Sequence, residues 1–280
     1  TKPNTDTASQ PVAVPVTTQA SVPTDTRPPQ KRYDRPRAGG NRNNSRRNSR
    51  PTVGPRFDTT VTGKRETDHI PPLKDGDIRV IHLGGVEEIG RNMSLVEYKD
   101  TIIIVDCGVQ FTETTTPGID FILPNTRYLE EHKHKIKGVV ITHGHLDHIG
   151  AIPYIMPRID NPQIYARFFT SLMIKKRQEE FPHLQPLTIN VIEKGDTLTL
   201  GDLKVRFFGV THAIPDSMGI IIETPYGDIV HTGDLRLDHD NGIPTDDEFE
   251  RYKFFEDRKT LLLMTDSTNC ENPGFSISDR

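Results

Sequence analysis

The stretch ITHGHLDHIG, residues 141–150, places His143, His145 and His148 together with Asp147 inside six positions. Imidazole nitrogens and a carboxylate at this density are a ligand set for a divalent ion, zinc first and manganese where oxygen ligands dominate. Side chains two residues apart on extended backbone project to the same side, so His143 and His145 face one position. Asp147 and His148 follow where the chain turns into a helix, and they face a second position beside the first. Four ligands around a single tetrahedral ion remain an option. The geometry of so short a loop favours dividing them between two ions about 3.5–4 Å apart, a hydrolytic arrangement.

Two further strand ends supply what this loop lacks. FFGVTHAIPDS puts His212 after an apolar run, and DIVHTGDLR puts Asp234 after another. The two oxygens of an aspartate reach two ions, so Asp234 is the natural bridge. The expected assignment is His143, His145 and His212 to one ion, Asp147 and His148 to the other, and Asp234 between them. Asp106, closing IIIVDCG, is read as orienting the histidine loop rather than as a ligand. His231 is read as a buried supporting group beside Asp234. Any one of these residues alone would be an ordinary hydrogen-bonded loop residue. The HxHxDH spacing joined to two more strand-end ligands is what argues for metal. His82, His132, His134, His183 and His239 have no such spacing and are read as structural or surface residues, and His69 lies at the edge of the polar N-terminal segment. GGVEEIG has the glycines of a phosphate loop but not its Lys-Ser/Thr ending.

The elements that must position these residues begin near Asp77. DIRVIHLGG reads as a strand ending in a glycine turn, and MSLVEYKDTIIIVDCG as two strands joined at Lys99–Asp100. RYLEEHKHKI is a short helix followed by the strand GVVITH. IGAIPYIMPRI reads as a helix limited by Pro153 and Pro157. QIYA is a strand and FTSLMIKKRQEEF a helix. Strand-rich runs follow: LTINVI, DTLTLGDLKVRFFGV, MGIIIETPYGDIVHTGD and TLLLMTDST. In the third of these, Tyr226–Gly227–Asp228 is read as a hairpin turn. Many strands with few helices imply an α/β chain with two sheets sandwiched between helices, an αββα layering.

Composition divides the 280 residues into two parts. Residues 1–70 carry 13 Lys and Arg against 6 Asp and Glu, whereas the remaining 210 carry 22 against 33. The first segment is rich in Pro, Thr, Asn, Ser and Arg and has few large apolar residues, so it is read as a disordered basic tail over residues 1–73. Its arginines Arg32, Arg35, Arg37, Arg42, Arg46, Arg47 and Arg50 suit an arm that neutralises RNA phosphates, or a solvated linker that aids solubility. The two cysteines, Cys107 and Cys270, form no CxxC spacing, which argues against a disulfide framework and for a reducing cytoplasm. PVAVPVTTQASVP is interrupted by Pro and Thr and makes a poor signal peptide. No run is long enough to span a membrane. The chain starts at Thr and ends at SISDR, which reads as a fragment at both ends.

HGHLDH, THAIPDS, TGD and VDCG resemble, in order and spacing, the motifs of the metallo-β-lactamase superfamily. LGGVEEIGRNM, THGHLDHIGAIPY and MTDSTNCENPG narrow the resemblance to the ribonuclease J family, in the β-CASP branch of nucleic-acid-processing hydrolases. The resemblance covers about residues 76–280. It implies the N-terminal portion of a metallo-β-lactamase αββα sandwich over 74–265, with a truncated β-CASP segment beginning at 266–280. It also implies that Asp266 supports the metal centre and assists proton transfer, beside the catalytic Asp147 and His148. The implied activity is 5′-to-3′ exonuclease and endonuclease cleavage of single-stranded RNA in RNA processing and decay. The implied company is two ions, zinc or manganese, with the ribosome or RNA-decay proteins as partners and a homo-oligomer for the full-length enzyme. The family's later segments, including a further metal-binding histidine, lie beyond this chain, so residues 1–280 alone are expected to be weakly active or inactive. Glu87 and Glu88 make the first glycine motif more acidic than the family pattern. Two other readings use the same residues: a glyoxalase-II-like thioesterase, and a non-catalytic RNA-binding module. TDSTNCENPG argues against the first, and the intact ligand set against the second.

Overall fold

A computed structural model describes residues 70–112 and 118–275. The arginine-rich arm with Arg32, Arg35, Arg37, Arg42, Arg46, Arg47 and Arg50, and the closing SISDR, lie outside the described residues.

Among the described residues, eleven strands build two main sheets. β1 (Ile78–Gly84), β2 (Met93–Tyr98), β3 (Thr101–Val105), β4 (Ile136–Val140), β5 (Ile164–Ala166) and β6 (Ile189–Val191) lie side by side in that order. β1 to β3 are antiparallel, and β3 to β6 run parallel. The second sheet holds β7 (Thr197–Leu200), β8 (Leu203–Gly209), β9 (Met218–Thr224), β10 (Gly227–His231) and β11 (Thr260–Met264). β7 to β10 form an antiparallel meander, and β11 pairs parallel with β10. The helices are α1 (Arg127–Glu131), α2 (Leu146–Ile149), α3 (Ile152–Ile155), α4 (Phe168–Gln178) and α5 (Asp246–Tyr252).

The two-residue period of a strand explains why these layers stack. In β3, Ile102 and Ile104 enter a core shared with Ile149, Ile152, Ile155 and Ile174 of the helices, whereas Ile103 and Val105 enter the core between the sheets. β8, β9 and β10 answer from the other side. Val205, Phe207, Ile220, Ile222 and Ile229 fill the inter-sheet core, while Phe208, Ile221 and Val230 pack outward against Tyr252 and Phe255. Helix, sheet, sheet and helix thus follow in order, as the sequence predicts. Each such isoleucine, fully buried, is worth roughly 1.5–3 kcal/mol over leaving it exposed. β2 is wholly buried yet contains Glu97. Its carboxylate accepts from Tyr128 Oη at 2.5 Å and pairs with Lys135 at 3.0 Å and Arg79 at 3.1 Å, so the charge is matched.

Three details depart from the sequence reading. The hairpin turn is Pro225–Tyr226, not Tyr226–Gly227–Asp228, because Thr224 already pairs with Gly227. Thr224 Oγ1 accepts from Tyr226 N and donates to Gly227 O, closing the turn one residue earlier. IGAIPYIMPRI is not one helix: α3 gives way to a 3-10 turn at Met156–Ile159. α5 is an element the sequence reading did not assign; Thr245 caps it by accepting from Glu248 N at 3.3 Å. Among the described residues no helix is long and apolar enough to cross a membrane.

Candidate metal centre

Topology gathers the strand ends at one edge of the sandwich. β3 and β4 are parallel, so Asp106 and the Thr142–His148 loop emerge together. β8 and β10 both run antiparallel to β9, so the loops carrying His212 and Asp234 leave the second sheet where β9 begins. Met218 N donates to Thr142 O at 3.0 Å and ties the two sheets together there.

Two groups of metal-ligating atoms result. His143, His145, His212 and Asp234 form one, and Asp147, His148 and Asp234 the other, with all ligand atoms of each group within 4.8 Å of one another. His145 Nδ1 lies 3.0 Å from His143 Nε2 and 3.2 Å from His212 Nε2. Two ligands on a tetrahedral zinc with Zn–N near 2.0–2.1 Å stand about 3.3 Å apart, so the three rings already converge as such a site requires. Asp234 faces both groups: Oδ1 is 3.2 Å from His148 Nε2, while Oδ2 is 3.7 Å from His143 Nε2 and 3.8 Å from His212 Nε2. Asp147 Oδ2 lies 3.5 Å from His148 Nε2. The donor set therefore fits two neighbouring ions, one richer in nitrogen and the other richer in oxygen.

Residues 86–266 match the family model of the metallo-beta-lactamase superfamily. The chain belongs to this superfamily. Divalent metal binding comes with it, and the two groups just described could hold such ions. The chain is 41% identical over 212 residues to a ribonuclease J of Corynebacterium glutamicum, covering 75% of this chain and 29% of that protein. It is 38% identical over 212 residues to a ribonuclease J of Thermus thermophilus, covering 72% of this chain and 36% of that protein. The chain thus spans about a third of the length of these relatives. Among solved structures, a protein of unknown function from Enterococcus faecalis shares the fold, with a TM-score of 0.53 and 22% identity over 71% of this chain and 52% of that one.

Within this superfamily scaffold a buried shell orients the ligands. Asp106 is 1% exposed. It accepts from Thr142 N at 2.8 Å and from Thr142 Oγ1 at 2.9 Å, and contacts His148 Nδ1 at 2.8 Å. One carboxylate thereby fixes the start of the histidine loop and turns His148 Nε2 toward Asp234. Its φ of +61° is a conformation that Asp tolerates better than most residues. Gly108 lets the loop approach: a Cβ there would stand 1.5 Å from Asp147 O. His231 Nδ1 accepts from Gly233 N at 3.0 Å and shapes the turn before Asp234. Asp266 is in neither ligand group; it accepts from Leu235 N at 3.4 Å and from Thr268 N at 2.8 Å, bracing the same turn from β11.

Asn92 is a site residue that spacing does not reveal. Its Nδ2 lies 3.0 Å from His148 Nε2 and donates to Asp147 O at 3.1 Å and Oδ2 at 3.3 Å. An Asn92→Ala variant is expected to bind metal about 10- to 100-fold more weakly, the usual cost of losing a residue that orients ligands; metal titration against a competing chelator measures it. Glu88 of the acidic glycine motif also finds its reason, whereas nothing in the structure explains Glu87. Glu88 forms a two-pronged ion pair with Arg91, both contacts at 2.7 Å, and accepts from Gly85 N at 3.1 Å.

Electrostatics follow from burial. Burial pulls His148 down, but the Asp106 and Asp234 carboxylates outweigh it and raise it to about 10. Burial first and the charge on His148 next push His143 down to about 3. His212 is also lowered, chiefly by burial. Burial raises Asp234, but His148, His143 and His212 hold it well below the usual carboxylate range. Without metal, this field favours a doubly protonated His148, with Nδ1 facing Asp106 and Nε2 facing Asp234; a divalent cation answers the same field.

Proposed function

We propose that this chain carries the metal centre of a ribonuclease that hydrolyses RNA phosphodiester bonds, acting both as a 5′-to-3′ exonuclease and as an endonuclease. The observation that carries this reading is a pair of ligand groups sharing Asp234 in a chain 41% identical to a ribonuclease J. His143, His145 and His212 would hold one ion and Asp147 and His148 the other, with Asp234 on both. The nitrogen-rich group favours zinc, and the second group suits zinc or manganese. Bound there, the ions would lower the pKa of a water and neutralise charge on the phosphoryl oxygens. The protein's own part is to hold these ligands rigid. Asp106 keeps the Nδ1 proton on His148, so that Nε2 presents a lone pair. Asp266 holds the Asp234 turn through Leu235 N and would assist proton transfer there.

The substrate is single-stranded RNA, and the arm with Arg32, Arg35, Arg37, Arg42, Arg46, Arg47 and Arg50 would add salt-sensitive affinity for RNA, the ribosome or RNA-decay proteins. The full-length enzyme acts as a homo-oligomer in the cytoplasm, in keeping with two free cysteines, Cys107 and Cys270. The test compares hydrolysis of a 5′-monophosphorylated single-stranded RNA with that of a thioester by the full-length protein, with zinc or manganese added. Metal-dependent RNA cleavage leaving 5′-phosphate and 3′-hydroxyl ends supports the reading, and thioester turnover without RNA cleavage overturns it.

The histidines set opposite trends for metal-free and metal-loaded protein. The raised His148 stabilises the fold below its ordinary 6.5, and that contribution is lost as pH rises toward about 10. The lowered His143 and His212 do the reverse, costing stability as pH falls below 6.5. Stability from these groups in chelated protein should therefore peak near pH 6.5. Metal binding must expel the His148 proton, so its stabilisation should keep growing toward pH 8. Thermal unfolding with chelator and with metal from pH 5 to 9 measures both curves; a metal effect that does not change with pH would contradict this account.

A further inference from the structure

A cleft of about 580 Å³ opens beside His212. Arg167, Lys194 and Arg251 line it, and among the described residues Asp216 is the sole acidic residue on its wall. That is a local excess of positive charge on a folded part whose composition is acidic.

The three cations are presented differently. Arg167 is held by Asp216 at 3.1 Å and Glu193 at 3.0 Å, and Asp216 also accepts from Phe169 N at 2.9 Å. This lattice fixes one wall of the cleft to the start of α4 and fixes the loop that bears His212. Arg251 donates to Thr211 Oγ1, one residue from His212, with Glu248 behind it at 3.4 Å. Lys194 has no ion-pair partner among the described residues, and its stem passes Gly209, whose added Cβ would lie 3.8 Å from Lys194 Cδ. Next to Arg167, Phe168 and Phe169 are 57% and 37% exposed. Cationic grooves rimmed by aromatic rings are how proteins track single-stranded nucleic acid: charge meets the backbone and rings meet the bases.

We infer that this cleft is a subsite for the phosphodiester backbone of the RNA strand flanking the bond to be cut, with Lys194 and Arg251 as its phosphate contacts. The inference rests on the ribonuclease reading and adds to it the path of the strand. Lys194 is the residue to change, because it makes no internal ion pair whose loss would disturb the fold. The experiment measures binding of a fluorescent 5′-monophosphorylated single-stranded RNA across a salt series. It uses full-length protein carrying His145→Ala to prevent cleavage, with and without Lys194→Ala or Lys194→Glu.

Losing one phosphate contact should lower the slope of log affinity against log salt by about 0.7. Lys194→Glu should weaken binding about tenfold at low salt. With His145 intact, the same change should raise KM for RNA while bound metal stays at the wild-type level. Unchanged affinity and slope in both Lys194 variants, when the protein with His145 intact cleaves RNA, overturn the subsite and leave the ribonuclease reading standing. A parent that neither binds nor cleaves RNA overturns both.

Discussion

Asp234→Asn in the full-length protein is expected to reduce RNA hydrolysis by about a thousandfold or more, and to leave bound metal well below that of the parent. Asp234 is the single residue common to both ligand groups, with one oxygen toward His148 and the other toward His143 and His212. Asparagine keeps the volume but removes the negative charge and one of the two oxygens. A two-ion clamp contributes several kcal/mol to the transition state, and about 4 kcal/mol corresponds to a thousandfold in rate. Asp234 is 31% exposed, so the fold should survive the change. Measuring kcat/KM and metal content on the same samples separates a lost ligand from a lost fold. A variant that retains two ions and parental activity would remove Asp234 from the centre.

Asp106→Ala should cost stability as well as metal. The carboxylate is buried against Thr142 N, Thr142 Oγ1 and His148 Nδ1. Removing one partner of a buried charged pair costs about 3–5 kcal/mol because the other partner is left unmatched. Alanine is also strained at φ +61°, where aspartate and asparagine are tolerated. Metal affinity should fall about 10- to 100-fold on top of this, since His148 loses the group that orients it. Asp106→Asn keeps the backbone conformation and one acceptor, and should fall between alanine and the parent. Urea unfolding of chelated protein gives the first effect and competitive metal titration the second. Equal stability of the Ala and Asn variants would show that the hydrogen-bonded carboxylate is not what holds the loop.

The metal loop and the layers were legible for related reasons. HxHxDH after an apolar strand names both its ligands and its place at a strand end, and the alternating burial of Ile102 to Val105 follows from the strand period. His212 and Asp234 followed because each closes an apolar run. Asn92 did not, since it lies 56 residues before His148 and an amide carries no ligand signature. Glu88 looked anomalous until its partner three residues on was seen to turn the motif into a closed ion-paired loop. α5 was hidden by its polar composition, although Thr245-x-x-Glu248 is a capping signal that would have placed its start. The hairpin shifted by one residue because a threonine hydroxyl, not glycine content, closes the turn. The cationic cleft draws on Arg167 before α4, the turn before β7, β8 with the loop after it, and α5 at once, so no single stretch of sequence could show it.

The most direct measurement is a metal titration of the chelated full-length protein, with bound ions and hydrolysis of 5′-monophosphorylated RNA followed in the same samples. The account predicts two ions per chain and cleavage that appears only as the sites fill. RNA cleavage at the full rate with no bound metal, or two bound ions with no RNA cleavage, would contradict it.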